Sequence, residues 1–182
     1  MRVYRPLLTN CIVQKFGLKG TIPKMLPVYR KFGLKAHNGF DIICWYREPI
    51  YHSGDFEGVA KTYVDMGGGI GVDIIGKEFK LRYWHLKEFV VKDGQRVKMG
   101  DLIGYGDNTG FSTGNHLHLG LKRVDENGRT INKDNGYFGA IDPEPYFVNE
   151  FVLKERVKVL KKLIQQIKSK LIEIRYYGNR MD

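Results

Sequence analysis

The chain has 182 residues, enough for one domain of ordinary size with an appendage and a real core. Its 30 Lys and Arg against 20 Asp and Glu leave a net charge of +10, which suits an anionic partner: nucleic acid, a membrane face or an acidic wall polymer. No apolar run approaches the roughly 20 residues that span a bilayer, so no transmembrane segment is expected. The start, MRVYRPLLTNCIVQKFG, lacks an apolar h-region and a small-residue cleavage site, so no Sec signal is expected either. Cys11 and Cys44 have no CxxC spacing, which argues against a disulfide framework and a thiolate zinc site. Buried free thiols are expected, with a single Cys11–Cys44 bridge as the alternative.

From Gly39 to Leu121 the chain is rich in β-branched and aromatic residues, broken every few positions by glycine or Asp-Gly turns. The pattern predicts strands at Phe40–Trp45, Gly58–Asp65, Gly71–Gly76, Phe79–Trp84, Asp101–Gly104 and His116–Lys122. Loops carry Gly67, Gly68 and Gly69, then Asp93-Gly94, then Gly106–Gly114. No helix of length is expected before residue 140, and there are no internal repeats. The expected fold class is mainly β.

Beyond Pro143 and Pro145 the character changes. From Asn149 to Tyr177 there is no glycine or proline, and Leu153, Val157, Leu160, Ile164, Ile167, Leu171 and Ile174 recur in steps of four and three. This predicts an amphipathic helix, either a coiled-coil strand of about three heptads or a helix packed on its own domain. The expected division is therefore a domain at 1–148 and a basic helix at 149–182. With those seven residues as the seam, one flank carries Lys154, Lys161, Lys168 and Arg175, and the other Arg156 and Lys170 with Leu163 between them. A parallel self-pair would set basic against basic and repel. The segment holds nine basic residues (Lys158, Lys162 and Arg180 with the charged flanking six) against Glu150, Glu155, Glu173 and Asp182, a net +5. An anionic wall polymer, lipid head groups or an acidic partner helix is the expected contact.

Four of the five histidines fall in three short motifs: HNGFD (37–41), YWHL (83–86) and HLH (116–118). Catalytic zinc sites usually take three nitrogen or oxygen ligands and keep a fourth position open. His37, Asp41 and His118 would supply two imidazoles and a carboxylate, leaving His85 and His116 to share proton transfer and oxyanion stabilisation. In HLHL the two histidines would share one face of a strand while Leu117 and Leu119 face the core. His52, in PIYHSGD, has no companion motif and reads as a surface or strand histidine.

Taken together these motifs resemble the lysostaphin/LytM-type zinc endopeptidases that cut peptidoglycan. VQKFG (13–17), GGIGVDI (68–74), VKMGDLIGYGDNTGFSTGNHLHLGL (97–121) and IDPEPYF (141–147) are similar to the family's first strand, central strand, last third and exit, so the likeness covers roughly residues 10–148. The resemblance implies one Zn2+ per chain held by His37, Asp41 and His118, with His85 and His116 as the catalytic pair. It also implies an antiparallel sheet flooring a groove walled by Thr21–Ala36, Gly67–Gly69 and Gly106–Asn115. The implied substrates are peptidoglycan stem peptides and cross-bridges. Asn115 and Gly120 depart from the family's proline and acidic residue, and the basic helix lies outside the shared pattern.

The segment YRKFGLKAHNGFD (29–41) looks like phage-borne members of the family. With no export signal expected, that suggests a phage or prophage lysin or a tail-associated hydrolase, held in the virion or the host cytoplasm before it reaches the wall. Two rivals are a non-catalytic scaffold of a virion or envelope, which would normally have lost ligands, and a nucleic-acid binder. No nucleic-acid motif supports the second, and half the charge is segregated on the terminal helix.

Overall fold

The computed structural model describes residues 1–178. In chain order the elements are β1 (Val3–Arg5), β2 (Ile12–Gln14), the short helices α1 (Gly17–Gly20) and α2 (Leu26–Lys31), β3 (Phe40–Ile43), β4 (Pro49–Tyr51), β5 (Gly58–Asp65), β6 (Gly69–Ile75) and β7 (Phe79–Phe89). There follow β8 (Arg96–Val97), β9 (Leu102–Gly106), β10 (His116–Arg123), β11 (Ala140–Ile141), β12 (Phe147–Phe151) and the long helix α3 (Val152–Gly178). A ten-stranded sheet runs β2-β3-β10-β7-β6-β5-β8, with β11 beside β10 and the β4–β9 pair joined through β7. Its pairings are antiparallel, as the resemblance implies.

Side chains alternate across a strand, so one face of β10 carries Leu117, Leu119 and Leu121 into the core while the other carries His116 and His118. Phe40 and Ile42 of β3, Tyr83 and Leu81 of β7, and Val72 and Ile74 of β6 fill the same core. Burial of such side chains stabilises the fold by roughly 1.5–3 kcal/mol each. The polar face of β10 is thereby held on a rigid floor, where function can be placed.

The β5 strand occupies its predicted residues, and the others differ at their ends. The first predicted strand stops at Ile43, because the chain turns at Tyr46–Arg47 with Arg47 in the left-handed region (φ 60°). The β7 strand continues five residues past Trp84 to Phe89. Only short helices precede residue 140.

Three expectations need correction. His52 is fully buried, not a surface residue: Nε2–H donates to the Phe56 carbonyl (2.9 Å), and Nδ1 accepts from the Tyr83 hydroxyl (3.0 Å). Both cysteines are free, but only Cys44 is buried, and Cys11 is exposed. The terminal helix begins at Val152 and not at Asn149, because residues 147–151 pair in parallel with β1. That strand pair ties β1 to the residues immediately before the helix.

Among the described side chains, the contacts of α3 with its own domain lie at its root. Val152 is buried, Arg156 donates to Asp101 (2.7 Å), and Lys158 donates to Glu150 (2.7 Å). Beyond it the seam residues Val157, Leu160, Ile164, Ile167 and Leu171 are exposed. The side chains of Ile174 and Arg175, with Arg180 and Asp182, lie outside the described residues. Among the described residues no helix is long and apolar enough to cross a membrane.

Candidate metal centre and active site

β10 lies between β3 and β7, so the ladder sets His118 opposite Asp41 on one side and Trp84 on the other. His37 approaches from the loop before β3. Its backbone N–H donates to Thr21 Oγ1 (2.9 Å), and its Nδ1–H donates to the Lys15 carbonyl (3.0 Å), leaving the Nε2 lone pair free. His37 Nε2, Asp41 Oδ1 and His118 Nδ1 then stand 3.0 Å from one another in every pairing.

That triangle fits a metal. Zinc holds nitrogen and oxygen donors at about 2.0–2.2 Å, which sets tetrahedral edges of about 3.3 Å, close to what is seen. His37 Nε2 and Asp41 Oδ1 are both acceptors, and buried acceptors at 3.0 Å repel unless a cation or proton lies among them. Burial alone would raise the Asp41 pKa, yet the adjoining His37 and His118 outweigh it and hold the carboxyl well below its usual range. Burial also pushes His118 down to about 3, which keeps it neutral as a ligand must be.

The surroundings fix these donors. The amide of Gln14 donates to Asp41 Oδ2 (3.4 Å) and to the Tyr29 hydroxyl, while its Oε1 accepts from the Ile22 N–H (3.2 Å). The Trp84 ring lies against His118 with centroids 5.1 Å apart. The indole N–H donates to Tyr63 (2.6 Å), whose hydroxyl donates to Asp73 (2.9 Å). Arg82 grips the same carboxylate with two bonds of 2.8 Å. Burial would raise the Asp73 pKa, but Arg82 and Lys80 hold it low.

His85 and His116 lie outside the triad and face each other, with ring centroids 4.6 Å apart. Strict alternation along β7 would send His85 to the core side with Tyr83. Instead its backbone is left-handed (φ 63°) and its N–H donates to Gly68 O (2.9 Å), so Trp84 and His85 both reach the groove. His85 Nδ1–H donates to the Thr109 carbonyl (2.7 Å), and His116 Nδ1–H to the Gly114 carbonyl (2.8 Å). Each therefore keeps Nε2 for chemistry, and His116 Nε2 stands 3.6 Å from Asp41 Oδ1. Burial, reinforced by His116, lowers the His85 pKa to about 4, so it is an unprotonated base at neutral pH.

All five residues singled out in the sequence are thus brought together in one groove of about 640 Å3. The three expected loops supply its walls through residues such as Met25, Phe32, Gly67 and Phe111. Phe138, Gln14, Trp84 and Thr109 were not foreseen. Gln14 and Trp84 lay inside quoted motifs without a donor pattern of their own, and Thr109 acts through its backbone carbonyl, which no side-chain signal announces. A Cβ at Gly120 would stand 3.7 Å from His118 Nε2, so that departure lies nearer the ligands than its sequence position suggests.

An antiparallel floor bearing a His-Asp-His triad and two spare imidazoles defines a metal-dependent hydrolase. Residues 35–133 match Peptidase family M23, and the chain belongs to that family. It is 40% identical over 98 residues to the peptidoglycan DD-endopeptidase ShyA of Vibrio cholerae, covering 54% of this chain and 22% of that protein. Against the glycyl-glycine endopeptidase ALE-1 of Staphylococcus capitis it is 36% identical over 85 residues, or 46% and 24% of the two chains. The chain thus spans about a quarter or less of these relatives. Among solved structures, a zinc-containing peptidase from Vibrio cholerae matches with a TM-score of 0.56 and 26% identity, over 72% of this chain and 39% of that one. The catalytic domain of lysostaphin from Staphylococcus simulans shares the fold, with a TM-score of 0.54 at 24% identity over 77% and 91% of the chains.

Proposed function

We propose that this chain is a zinc-dependent endopeptidase hydrolysing peptide cross-links of bacterial peptidoglycan. One zinc per chain is held by His37, Asp41 and His118, and His85 and His116 are the catalytic pair. The observation that carries the reading is the 3.0 Å triangle of donors beside two imidazoles with free Nε2 atoms. Relatives named as DD-endopeptidases and as a glycyl-glycine endopeptidase support the substrate class.

When bound, zinc supplies Lewis-acid polarisation of a carbonyl and acidifies a water. The protein supplies the rest. The groove walls orient an extended peptide over the β10 floor. Neutral His85 takes a proton at Nε2 from the attacking water, with Thr109 O keeping its Nδ1–H in place. His116, on the opposite side and likewise held through Nδ1–H, shares this transfer: once its Nε2 has taken up the water's proton, it can donate to the developing oxyanion or hand that proton to the leaving amine.

In this reading residues 1–151 form the catalytic unit and the helix from 152 is a separate attachment. Resemblance of residues 29–41 to phage-borne members supports a phage or prophage lysin or a tail-associated hydrolase acting at the wall. The scaffold alternative loses ground because no ligand position is missing. Digestion of purified walls of known cross-bridge type, with mass spectrometry of the new amino termini, tests the function. Release of peptides cut within stems or bridges is expected; walls left intact by the zinc-loaded chain would sink the reading.

A further inference from the structure

α3 is 27 residues long, which makes it about 40 Å from end to end. Its root is tied to the sheet domain through Val152 and the Arg156–Asp101 pair. Past that root Val157, Leu160, Leu163, Ile164, Ile167 and Leu171 stand in solvent, each about half exposed. At 100° per residue these six occupy one arc of about 120°. Lys161 and Lys168 border one side of the arc and Lys170 the other, with Lys154 continuing the first border toward the root.

Two observations decide what covers this face. Both borders are basic, so a parallel self-pair sets Arg156 of one copy against Lys161 of the other, and an antiparallel one sets lysine against lysine. A second copy is therefore disfavoured in either direction. Leu163, on the flank, widens the stripe beyond the narrow seam that a two-stranded coil buries, and no polar residue interrupts the exposed stripe to set a register. A broad apolar arc between rows of lysine matches a helix lying in the plane of an anionic bilayer, with acyl chains beneath it and phosphates beside it.

We propose that α3 is a membrane-surface helix that seats the sheet domain on anionic phospholipid. Its juxtaposed features are the exposed stripe Val157–Leu171 and the lysines on either side. This inference is independent of the catalytic reading, and its test needs no turnover.

The test uses the full chain and flotation with vesicles of equimolar phosphatidylglycerol and phosphatidylcholine, against phosphatidylcholine alone. Binding to the anionic vesicles and not to the neutral ones is expected. The double variant Leu160→Asp/Ile164→Asp should weaken it at least tenfold, and Lys161→Gln or Lys168→Gln by about fivefold each. The unfolding transition of the sheet domain should stay in place in all variants, since these side chains lie on the exposed stripe and its border. Equal binding to neutral vesicles, or undiminished binding by the Asp variant, would overturn the proposal. So would a shifted domain transition, a lipid-free dimer that the Asp variant abolishes, or tighter capture by a synthetic acidic heptad helix than by the vesicles.

Discussion

Gly39 gives His118 its place. A Cβ at residue 39 would stand 2.6 Å from the Leu119 carbonyl oxygen and 2.7 Å from His118 Nε2, closer than real contacts allow. The glycine of HNGFD is therefore part of the metal centre, because it lets β3 lie against the imidazole opposite. Gly39→Ala is expected to push His118 off the triangle. Overpacking of this kind costs about 1–3 kcal/mol, and zinc content after dialysis should fall well below one per chain. An unchanged zinc stoichiometry with unchanged stability would remove Gly39 from the site.

Ligands and catalysts should separate on substitution. His118→Ala is expected to lose metal and wall hydrolysis together. His85→Ala and His116→Ala should keep metal near one per chain and lose activity by about a hundredfold or more, the scale of a general acid or base. Chelation should silence the parent protein and zinc should restore it. Metal analysis beside the activity assay decides the assignment: a metal-free His116→Ala protein would exchange the roles of His116 and His118.

Trp84 is held over His118 by Tyr63, Asp73 and Arg82, well away from the triad. Asp73→Asn would leave Arg82 and Lys80 without their shared carboxylate. Losing one partner of a buried pair costs about 3 kcal/mol, discounted here because Arg82 is partly exposed. A lower urea midpoint is expected, together with a weakened metal site as the indole loosens. Full zinc affinity in a destabilised variant would confine Asp73 to a structural role.

His52 makes folding sensitive to acid. Burial lowers its pKa to about 4, from about 6.5 in the unfolded chain, so the native state binds fewer protons than the unfolded one between those values. Its contribution is complete above about pH 6.5 and is lost as pH falls toward 4, by roughly 1.4 kcal/mol per pH unit and about 3 kcal/mol in all. His52→Gln, compared with the parent under chelation, should flatten that slope in urea titrations across the window. Equal slopes would mean that His52 is protonated in the fold.

How much of this was legible depended on whether a residue acts through its own side-chain chemistry. His37, Asp41, His85, His116 and His118 announce themselves, because imidazoles and a carboxylate at strand spacing have few other uses. The alternation that placed Leu117 and Leu119 inside also placed their histidine neighbours outside. Tertiary contacts decided what periodicity could not. His52 reads in the sequence as a surface or strand histidine, but Tyr83 and Phe56 close over it, and His85 leaves the alternation because its backbone is left-handed. The end of β12 was hidden because its partner, β1, lies at the other end of the chain.

Gly110 meets Gly69 where the 106–115 loop crosses the start of β6. Gly110 has φ +74°, and a Cβ there would stand 2.2 Å from Gly69 N; Gly69 has φ +67°, and its own would meet Thr109 C at 2.4 Å. The 67–69 turn and the 106–115 loop thus touch through bare backbone, and the Thr109 carbonyl that orients His85 lies at the junction. Gly110→Ala should therefore force the loops apart and shift Thr109. Misplacing a catalytic group by about 1 Å costs on the order of a hundredfold in rate. The metal triad shares no atom with this junction, so zinc content should remain near one per chain. Gly94→Ala in the β7–β8 turn is the matched control: its φ is +80°, but a Cβ there would meet nothing within 4 Å. That variant should show only the backbone cost of about 1–2 kcal/mol and retain full activity. Similar losses of hydrolysis in both variants would trace the effect to glycine's conformational freedom; a loss confined to Gly110→Ala would trace it to the hold on His85.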